Sequence, residues 1–214
     1  MRESITANAE RITKLETSSQ KRVTPMFSIP ARNKCFTGRE GHLKTITTAL
    51  TEEANPVVTI QGLGGVGKTT LALEAAWAEN ENFPGGVYWL TADSDTGDAT
   101  MKVSLFGLAR KMEQIKPDTD GEQMVDVVTS HLIQQEKSLL VIDNLDSEEF
   151  SPLVNKLVNG MWVHDEEAKV AILITSRLKD DLLKESIDRA SVNIHLESFS
   201  LEDGVEFLRR RNER

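Results

Sequence analysis

Val57-Val58-Thr59-Ile60-Gln61-Gly62-Leu63-Gly64-Gly65-Val66-Gly67-Lys68-Thr69-Thr70-Leu71-Ala72 is the stretch on which the fold turns. A short β-branched run enters a cluster of glycines, and an Ala- and Leu-rich stretch from Thr69 to about Glu79 follows with high helix propensity. Gly62 to Thr69 matches G-x-x-x-x-G-K-[ST], and the strand–loop–helix setting is the one in which that pattern has meaning. The residue types follow from the chemistry. Gly62, Gly64, Gly65 and Gly67 let the backbone curl so that successive N–H groups, those of Leu63, Val66 and Thr70 included, face phosphate oxygens. The next helix adds its unpaired N-terminal donors and its positive dipole end. Lys68 can reach the β- and γ-phosphates, and the Thr69 hydroxyl can sit on Mg²⁺.

Outward from this loop the same alternation repeats. Gly86–Leu90, Ser138–Asp143, Val170–Thr175 and Val192–Leu196 read as further strands, the second of them unbroken in its apolar run and therefore buried on both faces. Helical stretches are expected from Thr37, which stands at capping-box spacing from Glu40 and opens a helix burying Leu43, Ile46 and Leu50. Others are expected near Thr100–Met112, from Thr119 (a second box with Glu122) to about Gln135, over Glu148–Val158, and from Ser200, burying Leu201, Val205 and Leu208. Strands alternating with helices predict an α/β three-layer sandwich around a five-stranded parallel sheet. Residues 1–24 read as an N-terminal helix with one narrow apolar stripe (Ile5, Ala9, Ile12, Leu15) and a linker. The extended stretch past Pro25 and Pro30 is read as a continuation of that linker.

A phosphate loop of this kind needs a carboxylate at the end of a second buried strand for the metal's water shell, and Asp143 closes Leu139-Leu140-Val141-Ile142. Hydrolysis also needs a group that orients or deprotonates water. Asn144 can orient water but takes no proton at neutral pH. Asp146 is the nearest acid and reads equally as a turn or cap residue. Ile172-Leu173-Ile174-Thr175 leads into Ser176-Arg177, where the Arg is either an ordinary exposed cation or a group able to reach a γ-phosphate.

Composition bounds the remaining classes. The chain has 214 residues, 39% of them hydrophobic, enough for one α/β domain. With 25 basic against 34 acidic residues and a formal charge of −9, it lacks the basic footprint of a nucleic-acid binder. Arg209-Arg210-Arg211 reads as a solvated helix end, where cations suit the macrodipole. There is no apolar run long enough to cross a bilayer and no secretory leader, which points away from membranes. The single Cys35 excludes an intramolecular disulfide and a Cys-rich metal site, so a reducing, cytoplasmic setting is expected. Cys35 itself is expected to be inert. Trp77, Trp89 and Trp162 are expected to pack, and His42, His131, His164 and His195 show no metal-ligand spacing.

Taken in order, Phe36-Thr37-Gly38-Arg39-Glu40, Gly62–Ala72, Val87-Tyr88-Trp89-Leu90, Leu139–Asp146, Thr175-Ser176-Arg177 and Phe199-Ser200-Leu201-Glu202-Asp203 resemble the NB-ARC type of STAND ATPase, over roughly residues 25–212. The resemblance implies a P-loop NTPase of ASCE type that works as a switch, closed with ADP at rest and self-associated with ATP when active, joined to other signalling domains. It further implies that Phe36, Gly38 and Arg39 lie by the adenine and ribose, that Lys68 and Thr69 take phosphate and Mg²⁺, that Asp143 serves the metal, and that Arg177 senses the γ-phosphate. Two departures stand out. Asp143-Asn144 replaces the family's frequent pair of adjacent acids, which puts hydrolysis in doubt. The family's following helical and winged-helix portions are not found before Arg214, so the chain is expected to hold the nucleotide-binding core alone.

Three functions compete at this point. A nucleotide-dependent signalling switch, at most a slow ATPase, uses every motif quoted. A working ASCE motor or remodeller would need Asp146 as its catalytic acid. A nucleotide-independent adaptor would need none of the phosphate-loop chemistry.

Overall fold

The computed structural model describes residues 26–52, 56–92, 98–112, 118–146, 152–163, 170–178 and 191–212. The helix and linker expected over residues 1–24 lie outside them. In chain order the elements are β1 (Met26–Ser28), α1 (Glu40–Glu52), β2 (Val57–Gln61), α2 (Lys68–Ala78), a 3-10 turn (Asn80–Asn82), β3 (Gly86–Thr91), α3 (Asp98–Lys111), α4 (Gly121–Gln134), β4 (Ser138–Asp143), α5 (Pro152–Val163), β5 (Val170–Ser176), β6 (Ser191–His195) and α6 (Leu201–Asn212).

The five expected strands form one parallel sheet, and β1 adds a short edge, giving the order β1-β3-β4-β5-β2-β6. The stretch after Pro25, taken as linker, thus supplies a strand in which Met26, Phe27 and Ser28 pair with Gly86, Val87 and Tyr88. Three residues between prolines carry no readable alternation, and an edge position tolerates proline on either side.

Alternation divides the core into two. Leu140, Ile142, Ile172, Ile174, Tyr88 and Leu90 face α3, α4 and α5, meeting Leu105, Val128, Leu132 and Leu157. Leu139, Val141, Ala171, Leu173, Val58 and Ile60 face the other way, meeting Ile46 and Leu50 of α1 and Leu71, Ala72 and Ala75 of α2. Both faces of the central strands are therefore covered, as their near-continuous apolar runs require. The order also matters for chemistry: β5 lies between β2, which feeds the glycine loop, and β4, which ends in Asp143. Ligands of open parallel sheets sit beyond the carboxyl ends of such strands.

Three local expectations are corrected. Glu40 begins α1 and its carboxylate accepts from the Gly38 N–H at 3.3 Å rather than completing a box with Thr37, because Gly38 turns the chain with φ 72°. Asp120, not Thr119, caps α4, accepting from the Gln123 N–H at 2.8 Å. The apolar stripe of α6 faces outward: Leu201, Val205 and Leu208 are 85%, 49% and 60% exposed, and no residue of that helix is buried. Periodicity shows that a stripe exists, not that something covers it. The expected helix over Glu148–Val158 is described from Pro152 onward, the earlier part falling outside the described residues.

Candidate functional site

The glycine loop begins where β2 ends. Gly62 has φ 150°, and a Cβ there would stand 2.2 Å from the Leu196 carbonyl oxygen, so no other residue fits. Gly65 and Gly67 have φ 81° and 102°, the second as the left-handed residue immediately before α2. Lys68 opens α2 and is buried, its Nζ donating to the carbonyls of Gly62 and Leu63 at 2.8 and 2.9 Å. Burial pushes its ammonium below the ordinary lysine range. Asp146 opposes that shift most among the neighbouring charges, Arg177 adds to it, and Asp143 opposes it.

Asp143 is buried and receives two hydroxyls on one oxygen: Thr69 Oγ1 at 2.8 Å from α2, and Thr175 Oγ1 at 2.6 Å from β5. A hydroxyl beside a carboxylate offers the hard oxygen donors that Mg²⁺ takes. Among the described residues no group of three or more His, Cys, Asp and Glu side chains is placed to hold a metal. Mg²⁺ in phosphate sites typically draws on one or two carboxylates, with phosphate oxygens and water completing the shell, and the donor set here fits that pattern.

Asn144 follows in a left-handed conformation, φ 65°, with its N–H on Thr175 Oγ1 at 2.9 Å. Asparagine tolerates that conformation better than most residues, which gives a backbone reason for its presence beside any role toward water. Asp146, weighed above as a base or a turn residue, is bound twice by Arg177: the backbone N–H and Nε of Arg177 each lie 2.6 Å from one of its oxygens. The carboxylate is 3% exposed and the guanidinium 47%. Arg177 also overhangs the loop, its Cδ lying 3.9 Å from where a Cβ on Gly64 would be.

Beside this polar cluster lies a cavity of about 500 Å³. It is lined by Gly64, Gly65, Val66, Gly67 and Thr70 of the loop and the start of α2, by Phe36, Thr37 and Arg39 just ahead of α1, and by Phe199 and Phe207. Arg39 is buried, donates to the Glu197 carbonyl and lies with its guanidinium 4.6 Å from the Phe199 ring centre, while its Nε has no hydrogen-bond partner. Gly38 stands just behind, where a Cβ would meet Asp203 at 2.9 Å. Arg210, expected to be merely solvated, donates to the Phe36 carbonyl at 3.1 Å and so ties α6 to the stretch ahead of α1. The incoming segment is strapped to α2 by an Arg32–Glu74 ion pair and by Trp77 Nε1 donating to the Pro30 carbonyl at 2.9 Å.

Lys68, Thr69, Asp143, Asn144, Asp146 and Arg177 fall in the polar cluster, and Phe36, Arg39, Gly64, Gly65, Val66, Gly67 and Thr70 line the cavity, while Leu63 is 77% exposed. Sequence reasoning missed Asn33, Cys35, Ser198, Phe199 and Phe207 as lining residues. Cys35, expected to be inert, borders the cavity. Phe199 and Phe207 carried a faint signal, an aromatic just ahead of the Ser200 cap and another about two turns into the helix. Among the described residues no helix is long and apolar enough to cross a membrane.

The geometry can be set beside known proteins. Residues 39–212 match the profile of the NB-ARC domain. A nucleotide-binding leucine-rich repeat (NLR)-like protein of Hyaloscypha variabilis is 38% identical over 133 residues, covering 56% of this chain and 13% of that protein. The Probable disease resistance protein RF9 of Arabidopsis thaliana is 30% identical over 141 residues, covering 64% of this chain and 13% of its own length. The aligned part is thus about an eighth of each of these relatives. Among solved structures, Cdc6p of Pyrobaculum aerophilum superposes with a TM-score of 0.64 at 15% identity, over 87% of this chain and 52% of that one, a likeness of fold. The match spans the loop, the Asp143 cluster and the cavity lining from Arg39 onward, and by it the chain belongs to the NB-ARC family of P-loop nucleotide-binding domains.

Proposed function

We propose that residues 25–214 form an adenine-nucleotide switch of a cytoplasmic signalling protein, in which exchange of ADP for ATP drives self-association. One observation carries the reading: a cavity of about 500 Å³ is lined by the glycine loop and by three phenylalanines, which gives a base apolar surroundings next to a loop suited to phosphates. Phe36, Phe199 and Phe207 offer faces for a base, and the buried Arg39 brings an unpartnered N–H to that end. The loop amides and Lys68 would take the α- and β-phosphates, Thr69 and Asp143 would hold Mg²⁺, and Arg177 would meet the γ-phosphate. Bound Mg²⁺ would draw charge from the phosphate oxygens. Names such as NLR-like protein and disease resistance protein among the relatives support a signalling context.

Slow turnover fits the same geometry. A general base must reach the attacking water, whereas the Asp146 carboxylate is 3% exposed and paired with Arg177, and Asn144 takes no proton. Protein purified from cells is expected to carry ADP, and stripped protein should gain roughly 4 kcal/mol at a thousand times Kd. Calorimetry on folded, stripped protein with Mg-ADP and Mg-ATP tests the reading, with Lys68→Ala as control. No heat and no thermal shift with either nucleotide would overturn it.

A further inference from the structure

Asp146 is a nearly buried carboxylate that accepts from both the backbone N–H and the Nε of one arginine. A carboxylate so placed is expensive to leave without its counter-charge: removing one partner of a buried pair strands the other in a medium that solvates it poorly. Arg177 differs, since its guanidinium is half exposed and stands over the glycine loop. Its guanidinium faces solvent beside the loop's mouth, where an anion could meet it, whereas the Asp146 carboxylate is enclosed. The two residues sit on different strand ends, Asp146 just beyond β4 and Arg177 just beyond β5.

Resting on the nucleotide reading above, we propose that Asp146 is an internal stand-in for the terminal phosphate: it holds Arg177 while a diphosphate is bound, and must surrender it to a triphosphate. Two anions compete for one cation. A diphosphate leaves the Arg177–Asp146 pair whole. A triphosphate that recruits Arg177 gains a charge-assisted contact and at once exposes the cost of an unpaired Asp146. Asp146 therefore sets the balance between the two nucleotides without touching either, as a positioning residue rather than a base. It also influences Lys68 more than any other charge there, in keeping with its position beside the phosphate path.

The test measures Kd for Mg-ADP and for a non-hydrolysable Mg-ATP analogue on the whole chain, by calorimetry, in wild type, Asp146→Asn, Arg177→Gln and the double variant. Asp146→Asn keeps an acceptor for the Arg177 N–H and removes the charge. It is expected to shift the ratio of the two constants toward the triphosphate by roughly 5–150-fold, the ordinary span of coupling between sites. In the Arg177→Gln background the same change should leave the ratio where it was. Should Asp146→Asn fail to fold by circular dichroism, Asp146→Ser, which also keeps an acceptor, must give the same shift. A ratio that stays put in the single variant overturns the proposal, as does an equal shift without Arg177. Loss of turnover with an unaltered ratio would instead make Asp146 the hydrolytic base. Wild type that binds neither nucleotide would sink the underlying reading as well, an outcome distinct from the others.

Discussion

Thr175 donates its hydroxyl to Asp143 Oδ1 at 2.6 Å from the strand that separates β4 from β2. The same hydroxyl accepts the Asn144 N–H, so one side chain orients the carboxylate and satisfies the turn after it. Thr175→Val keeps the shape and removes both bonds. Hydrogen bonds to a charged group contribute about 1.5–3 kcal/mol, and in a domain of this size each kcal/mol moves Tm by roughly 2–4 °C. Thermal unfolding should show the variant several degrees less stable, with Thr175→Ser close to wild type. The Mg²⁺ dependence of nucleotide binding should weaken in the valine variant and not in the serine one.

Gly62 and Gly65 both have positive φ, yet they differ in surroundings. A Cβ on Gly62 meets the Leu196 carbonyl at 2.2 Å, whereas one on Gly65 meets nothing within 4 Å. Gly65→Ala should therefore cost only the conformational penalty, about 1–2 kcal/mol. Gly62→Ala must also push the end of β6 away from β2, and should exceed about 3 kcal/mol, the upper end of the ordinary range for single changes. Urea denaturation of the two variants compares them directly. Equal losses would contradict the contact with Leu196.

His131 sits in α4 with its Nε2 3.1 Å from the Tyr88 hydroxyl and its Nδ1 buried without a partner. Burial pushes its pKa below the ordinary 6.5. The sign follows. Above pH 6.5 the ring is neutral folded and unfolded, and contributes no slope. Below it the unfolded chain takes up a proton that the folded ring refuses, so stability falls with pH until the folded ring titrates too. Urea midpoints at pH 7.5 and 5.5 should show a drop in wild type that is smaller in His131→Phe.

Leu201 and Leu208 lie on the outward face of α6. Leu201→Lys should alter stability by no more than about 0.5 kcal/mol, as surface changes do, while Leu140→Ala in the central strand should cost about 2–5 kcal/mol. A melting curve for each decides the matter. A large loss from Leu201→Lys would mean that this helix is covered in the protein as purified.

Legibility in the sequence followed the range of the forces involved. The phosphate loop was plain because one backbone geometry demands glycines at fixed spacing, and β4 and β5 were plain because burial on both faces leaves near-continuous apolar runs. Asp143 could be placed because it terminates such a run. Thr37 and Thr119 misled because several nearby residues can cap one helix, and the sequence does not say which backbone turn wins. The stripe of α6 misled because periodicity gives a face and not its partner. Phe199, Phe207 and Cys35 were hidden for a different reason: they meet the loop only through the fold, and no spacing along the chain encodes that meeting. The pairing of Asp146 with Arg177 was hidden likewise, although each residue had been noticed alone.

The wall formed by Phe36 and Arg39 and the one formed by α6 are joined by a bond spanning 174 positions of the chain, from Arg210 to Phe36. On a ribosome adding about 5–20 residues per second, the first wall waits on the order of ten to thirty seconds for the second. The glycine loop waits almost as long for its own setting, because β2 pairs with β5 and β6 and Gly62 lies against Leu196. The space between the two walls is thus bounded on both sides only when α6 has cleared the exit tunnel.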